Sequence, residues 1–205
     1  IYETQVNNDF NFSSFNNINN GFVTNYNYLL KNFNTYSENS AVFENNADHE
    51  LFSTILFNVE FPLRKKLLNS SNFLKPKMQF KFSPTNGKDI SSDSVMLRYD
   101  NLFSSNRIGR TDMVEEGKSL TIGLEFEKQN FLNEKIFGFN IGNIIKDKKN
   151  NSMPSKAKLD QTRSDIVGKL AYKPNTFLNL DYNFSFDRDL KNSNYQSLSS
   201  IFTYN

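Results

Sequence analysis

Side chains able to do chemistry are few in this chain, and their spacing is poor for it. The single histidine, His49, lies in Glu44-Asn-Asn-Ala-Asp-His-Glu50 with no second histidine at ligand spacing, so it is expected in a solvated loop rather than at a metal. Only Asp48 stands beside it to support a hydrolase, which would need a serine or aspartate partner. Glu115-Glu116 and the pair Asp187 and Asp189 are carboxylates one or two positions apart, a spacing that carries no sign of a shaped, desolvated acid–base pocket. Lys146-Asp-Lys-Lys149 reads as a solvating basic run, with a phosphate-binding patch as the alternative. Cysteine is absent, which removes disulfides and thiolate metal sites from these residues. The expectation is no catalytic residue, no metal and no cofactor.

Charge excludes a second class. A net charge of +2 with 22% charged residues gives no global field of the kind a dedicated nucleic-acid binder shows, so no nucleic-acid partner is expected. No run approaches the ~18 apolar residues of a transmembrane helix, although alternating barrel strands escape that test. The chain opens at Ile1 with no visible export signal and is read as a fragment. The abundance of asparagine, and of phenylalanine at 21 residues, is attributed mainly to codon bias.

The elements that position the polar side chains alternate with a period of two. Leu74, Met78, Phe80 and Phe82 share one face, with Lys75, Lys77, Gln79 and Lys81 on the other. Leu120 to Phe126 alternate against Thr121 to Glu127 in the same way. From Thr176 to Asp187, Leu178, Leu180, Tyr182, Phe184 and Phe186 oppose Asn179, Asp181, Asn183 and Ser185. Weaker versions cover Leu51–Phe61, Phe137–Ile145, Ile166–Tyr172, Phe22–Leu30, Asn194–Tyr204 and a piece around Phe10 and Phe12. This gives about nine strands, the best about ten to twelve residues long, nearer the roughly nine to eleven of a membrane span than the roughly five to six of soluble strands. Pairing of the Phe73 strand is expected to begin at Lys77, since Pro76 cannot donate to a ladder.

Connections sharpen that reading. Asn17–Gly21, Asn130–Asn133 and Lys173–Asn175 are short, Lys31–Glu50, Pro84–Lys118 and Lys146–Arg163 long, Leu63–Asn72 intermediate, and Arg188–Ser193 breaks the alternation. Short periplasmic turns alternating with long outer loops mark an outer-membrane barrel. A lysine at the bilayer midplane costs about 2 to 4 kcal/mol, so the lysine face must point inward. Lys75, Lys77, Gln79, Lys81, Glu125, Asn179, Asp181 and Asn183 are therefore the lumen-facing candidates, lining a polar, wet lumen. The outer aromatics Phe80, Phe82, Phe126, Tyr182, Phe184, Phe186, Phe202 and Tyr204 are expected near strand ends more often than strand centres, as an aromatic girdle requires. The fold class is an all-β, antiparallel transmembrane β-barrel, with residues 1–205 a segment of one barrel domain and no internal boundary.

Two segments carry a resemblance. Tyr99-Asp-Asn-Leu-Phe-Ser-Ser-Asn-Arg-Ile-Gly-Arg-Thr-Asp112, followed by Glu115-Glu116-Gly117 and the strand Leu120-Thr-Ile-Gly-Leu124, resembles the LptD family of LPS-assembly outer-membrane proteins, also called organic solvent tolerance proteins. Ile108-Gly-Arg-Thr-Asp112 departs from that family's usual Ser-Gly-Tyr/Leu-Asp-Arg-Ile, and Met113 stands where arginine is common. Leu159-Asp-Gln-Thr-Arg-Ser-Asp-Ile-Val-Gly168 and Leu178 to Asp189 look like downstream barrel strands of alphaproteobacterial members. Phe61-Pro-Leu63 and Lys75-Pro-Lys77-Met-Gln-Phe80 match the preceding strands in style.

The resemblance implies a lipopolysaccharide assembly and insertion device in the outer membrane of a Gram-negative cell. Lipopolysaccharide arrives from a periplasmic LPS-bridge protein, its sugars cross the lumen, and its acyl chains leave sideways into outer-membrane lipid. A lipoprotein plug in the lumen is the implied partner, while the lateral gate, a periplasmic jelly-roll domain and the family's cysteines lie outside this segment. A passive porin is the alternative function and an outer-membrane hydrolase using His49 the third. For Arg98, Asp100, Arg107, Arg110, Asp112, Glu115 and Glu116, the expectation is a solvated loop with weak local pairs, against a loop folded inward that closes the outer mouth.

Overall fold

The computed structural model describes residues 2–39, 46–156 and 158–204. Its strands are β1 (Tyr2–Ser13), β2 (Asn17–Asn19), β3 (Phe22–Glu38), β4 (Ala47–Glu60), β5 (Leu63–Leu67), β6 (Ser70–Ser83), β7 (Gly117–Asn130), β8 (Lys135–Lys146), β9 (Ile166–Tyr172), β10 (Leu178–Phe186) and β11 (Ser193–Phe202). One helical turn, α1 (Tyr99–Leu102), lies between β6 and β7. All eleven strands join one antiparallel sheet in the order β1-β3-β4-β6-β7-β8-β9-β10-β11. Here β2 continues β1 along β3, and β5 continues β4 along β6, so the meander fills nine ladder positions. Within these residues the sheet stays open between β1 and β11.

Alternation explains the length of the strands. On β3, Leu29, Lys31, Phe33, Thr35 and Ser37 are all buried on one face, while Tyr26, Tyr28 and Tyr36 are exposed on the other. The strand therefore runs on to Glu38, and β4 starts at Ala47, so the connection expected over Lys31–Glu50 shrinks to residues 39–46. Residues 40–45 of that stretch lie outside the described residues. Lys31 is tolerated on the buried face because Asp9 of β1, its pairing partner, meets its ammonium at 2.7 Å. The N-terminal piece around Phe10 and Phe12 likewise becomes a strand from Tyr2.

A second correction concerns Leu63–Asn72, which is no loop. It holds β5, a tight turn at Leu68-Asn69 and the first residues of β6. Pro76 explains why β6 does not have to begin at Lys77. Its carbonyl accepts from the Phe61 amide at 3.0 Å. Backbone N and O of a strand residue point to the same side, so the missing N–H also faces that neighbour. There the chain is already interrupted at Phe61-Pro62, and pairing with β7 runs unbroken from Ser70 to Ser83.

Connections segregate by end. Asn20-Gly21, Leu68-Asn69, residues 131–134 and residues 173–177 lie at one end, and residues 39–46, 84–116, 147–165 and 187–192 at the other. Asn20 and Gly21 both have positive φ, 50° and 83°, the geometry of a two-residue hairpin turn that glycine favours. The segment expected to break the alternation, around Arg188–Ser193, joins the long-loop end like its counterparts. Tyr204 lies just past the end of β11, whereas Tyr182 lies at the middle of β10, away from the strand ends.

Candidate functional site

Register places the polar candidates together. Lys75 of β6 pairs with Glu125 of β7, Glu125 with Asn140 of β8, Asn140 with Lys169 of β9 and Lys169 with Asn183 of β10. One rung thus joins two of the three candidate strands to the third. Lys77, Gln79 and Lys81 follow on the same face of β6, while Asn179 and Asp181 share the face of Asn183 on β10. All eight candidates therefore lie on one side of the sheet. Side chains of the opposite face, including Phe10, Tyr26, Ile55, Met78, Phe80, Ile122 and Leu198, are exposed.

The long loop between β6 and β7 lies against the candidate face. Leu97, Leu102, Ile108, Met113 and Val114 are buried there with Leu29, Phe33 and Phe52 of the strands. The solvated-loop expectation fails for a simple reason: the loop carries enough apolar residues to form a core of its own. Residues 147–165 add Met153 and Leu159 to that core, and Ile90 donates its amide to the Ser152 carbonyl at 2.8 Å.

Three devices hold the loop. The first is steric: Leu102 and Phe103 seat over Gly142 and Gly123, which pair with each other across β7 and β8. A Cβ on Gly142 would stand 2.6 Å from Leu102 Cδ2, and one on Gly123 2.8 Å from Phe103 Cζ. Asn101 folds the turn itself, accepting from the Arg98 amide at 2.8 Å and donating to the Met96 carbonyl at 3.0 Å.

The second is a carboxylate among three cations. Glu115 pairs with Arg107, with Lys146 at 2.6 Å and with Lys81 at 3.5 Å, and both Arg107 and Glu115 are 2% exposed. Arg107 also donates to Ser119 at 2.7 Å and to Thr121 at 3.0 Å, and Lys81 to the Ser105 carbonyl at 3.0 Å. Burial pushes the Glu115 carboxyl up, but the charges of Arg107, Lys81 and Lys146 outweigh it and hold it well below the usual carboxylate range.

The third is a charge box near the middle of the face. Lys75 meets Glu125 at 2.7 Å and Glu60 at 3.7 Å, Lys77 meets Glu125 at 3.1 Å and Glu60 at 3.4 Å, and Tyr99 of α1 donates to Glu125 at 3.1 Å. Burial and the Glu125 charge push the Tyr99 phenol well above its ordinary range, so it remains a donor. Lys77 also lies 4.6 Å from the centre of the Phe103 ring. Lys75, Lys77, Lys81 and Glu125 are thus committed to partners, and Gln79 donates to the Phe103 carbonyl at 2.6 Å.

Asn179, Asp181 and Asn183 stay half-buried, and Asn179 and Asp181 border a cavity of about 450 Å³ with Lys135, Lys169 and Lys173 at the short-turn end. Lys169 reaches Asp100 of the loop at 3.3 Å. Sequence reasoning missed the clustering of Arg107, Lys146 and Glu115 and the burial of Asp165, which accepts from Ser185 at 3.0 Å and Asn194 at 2.7 Å. The available signal was the apolar content of the loop, which solvation does not explain. His49 is in β4 rather than a loop, exposed and 2.8 Å from Asn34, and no serine or carboxylate is hydrogen-bonded to it among the described residues.

A family model described as LptD, LPS transport system D, matches residues 2–205. No curated protein matches the chain. That match runs through every strand and both loops that cover the candidate face, and the chain belongs to the LPS transport system D family.

Proposed function

We propose that this chain is a wall of the outer-membrane barrel that carries lipopolysaccharide to the outer leaflet. Membership of the family supports a role in LPS transport and assembly at the outer membrane. The observation that carries the finer reading is the division of the sheet into an exposed apolar face and a polar face crossed by the rung from Lys75 to Asn183. Unpaired polar groups are costly in lipid, so the apolar face meets the bilayer and the polar face the lumen.

In this reading the lumen wall is not uniform. From the Lys75–Asn183 rung toward the long-loop end its lysines are neutralised and covered, while on the short-turn side of that rung Asn179 and Asp181 offer hydrogen-bonding groups for sugars. Lipopolysaccharide enters from a periplasmic bridge protein at the short-turn end, and a lipoprotein plug occupies part of the same space. Loop 84–116 closes the outer mouth until transit.

A photocrosslinking side chain at Asp181 or at its neighbour Leu180, on opposite faces of β10, tests this in cells. Lipopolysaccharide adducts are expected at Asp181 and to vanish when its synthesis stops, with phospholipid adducts at Leu180. Lipopolysaccharide captured at neither, or a large steady conductance of the full-length protein without any lipoprotein partner, would favour a passive porin instead.

A further inference from the structure

Charges on the bare face follow a pattern of their own. Along β7 that face reads Lys118, Leu120, Ile122, Leu124, Phe126, Lys128. The two lysines lie about ten residues apart, roughly 34 Å at ~3.4 Å per residue. At a tilt near 40° this is about 26 Å, close to the ~25 Å apolar band of outer-membrane barrels. Lys118 and Lys128 therefore stand at its two borders.

At the short-turn border the pattern widens. Lys128 pairs with Asn72 of β6, and Asn72 pairs on its other side with Lys65 of β5. The two lysines flank one asparagine on a single rung, about 9.6 Å apart at a strand spacing of ~4.8 Å. That rung continues through Phe137 and Tyr172, an interfacial mixture of lysine, amide and aromatic side chains.

Both lysines are exposed, and neither has an ion pair among the described residues. Most strand lysines of the covered face differ: Lys31, Lys75, Lys77, Lys81, Lys135, Lys146 and Lys169 each meet a carboxylate, and Lys66 beside Ser71 has no ion pair among the described residues. No strand carboxylate from β4 to β11 shares the bare face with Lys65 and Lys128. Leu63 and Leu67, exposed by 43% and 48%, bracket Lys65 on the same face. A matching ligand must bring negative charge and an apolar body together.

We propose that Lys65, Asn72 and Lys128 form a binding site for the headgroup phosphate of an anionic phospholipid in the leaflet at the short-turn end. The lysine stems lie along the apolar surface and lift their ammonium groups to headgroup level, and the Asn72 amide lies between them. The proposal rests on the bare face meeting lipid, as argued above.

The test uses the full-length protein in detergent with equal amounts of phosphatidylglycerol and phosphatidylcholine, and native mass spectrometry to count retained lipids. Wild type is expected to retain phosphatidylglycerol with roughly tenfold preference or more, from two lysines acting together. The Lys65→Gln, Lys128→Gln double variant is expected to lose that preference, while Lys65→Arg, Lys128→Arg and a Lys173→Gln control keep it. A double glutamine variant that folds and retains the preference, or a wild type without one, overturns the site. Incorporation into vesicles of phosphatidylcholine alone is measured in parallel. Failure there overturns the lipid-facing assignment, whereas incorporation without preference overturns only the headgroup site.

Discussion

Phe103 lies on Gly123 so closely that a single added carbon would stand 2.8 Å from its ring. Gly142, paired with Gly123 in register, does the same for Leu102, but its added carbon would also meet the Ile122 carbonyl at 2.6 Å. A ring edge can swing aside, whereas a strand carbonyl cannot. Gly142→Ala is therefore expected to unseat loop 84–116 more than Gly123→Ala does, within the roughly 1 to 3 kcal/mol typical of overpacking. Limited proteolysis of the loop in the folded protein, together with entry of bulky antibiotics into cells, reads the order. Full protection in both variants would show that the glycine pair is not the seat.

Glu115 offers a sharper case because its removal leaves Arg107, Lys81 and Lys146 buried without their shared carboxylate. Glu115→Gln is expected to cost about 3 to 5 kcal/mol of loop seating, as for other broken buried pairs. The pH sign follows from the depressed carboxyl. Its contribution is fully present above the unfolded value near 4.5 and is lost as pH falls through the lower folded value. Proteolytic protection should stay level between about pH 6 and 5 and decline only in stronger acid. Loss of protection between about pH 6 and 5 would assign the latch to some other group.

Arg110 makes an instructive contrast. It pairs with Asp112 at 2.8 Å and Asp93 at 2.9 Å, but is 38% exposed at the rim of the same loop. Solvent screening limits such pairs, so Arg110→Ala is expected to cost about 1 kcal/mol or less. In the same proteolysis assay it should behave almost as wild type. A loss matching that of Glu115→Gln would mean that the rim, rather than the buried cluster, holds the loop.

The difference between these arginines also marks what was legible in the sequence. Alternation alone placed Lys75, Gln79, Asn179 and Asp181 on one side, because a period of two assigns faces without knowledge of neighbours. It could not show that Lys81 and Lys146, on different strands, converge on a loop carboxylate, since that meeting depends on register and on the path of residues 84–116. Gly123 and Gly142 read separately as weak points in two strands. Only as a cross-strand pair do they become a seat for Leu102 and Phe103. Arg107 and Arg110, three positions apart, carried the same signal and met opposite environments.

Thr121 and Ile122 give the most direct test of the two faces, being neighbours that point apart. Ile122 is 39% exposed on the apolar side, in the middle of the run from Leu120 to Phe126, while Thr121 is fully buried and accepts from Arg107 at 3.0 Å. Ile122→Lys places a charge near the bilayer midplane at a cost of about 2 to 4 kcal/mol, and should lower the urea midpoint for folding into vesicles. Thr121→Val removes one acceptor from the Arg107 cluster at about 1 to 3 kcal/mol, and should loosen the loop while leaving that midpoint nearly unchanged if the loop docks after the strands insert. The two variants thus separate wall from cover. If Ile122→Lys folds as readily as wild type, the exposed apolar face does not meet lipid.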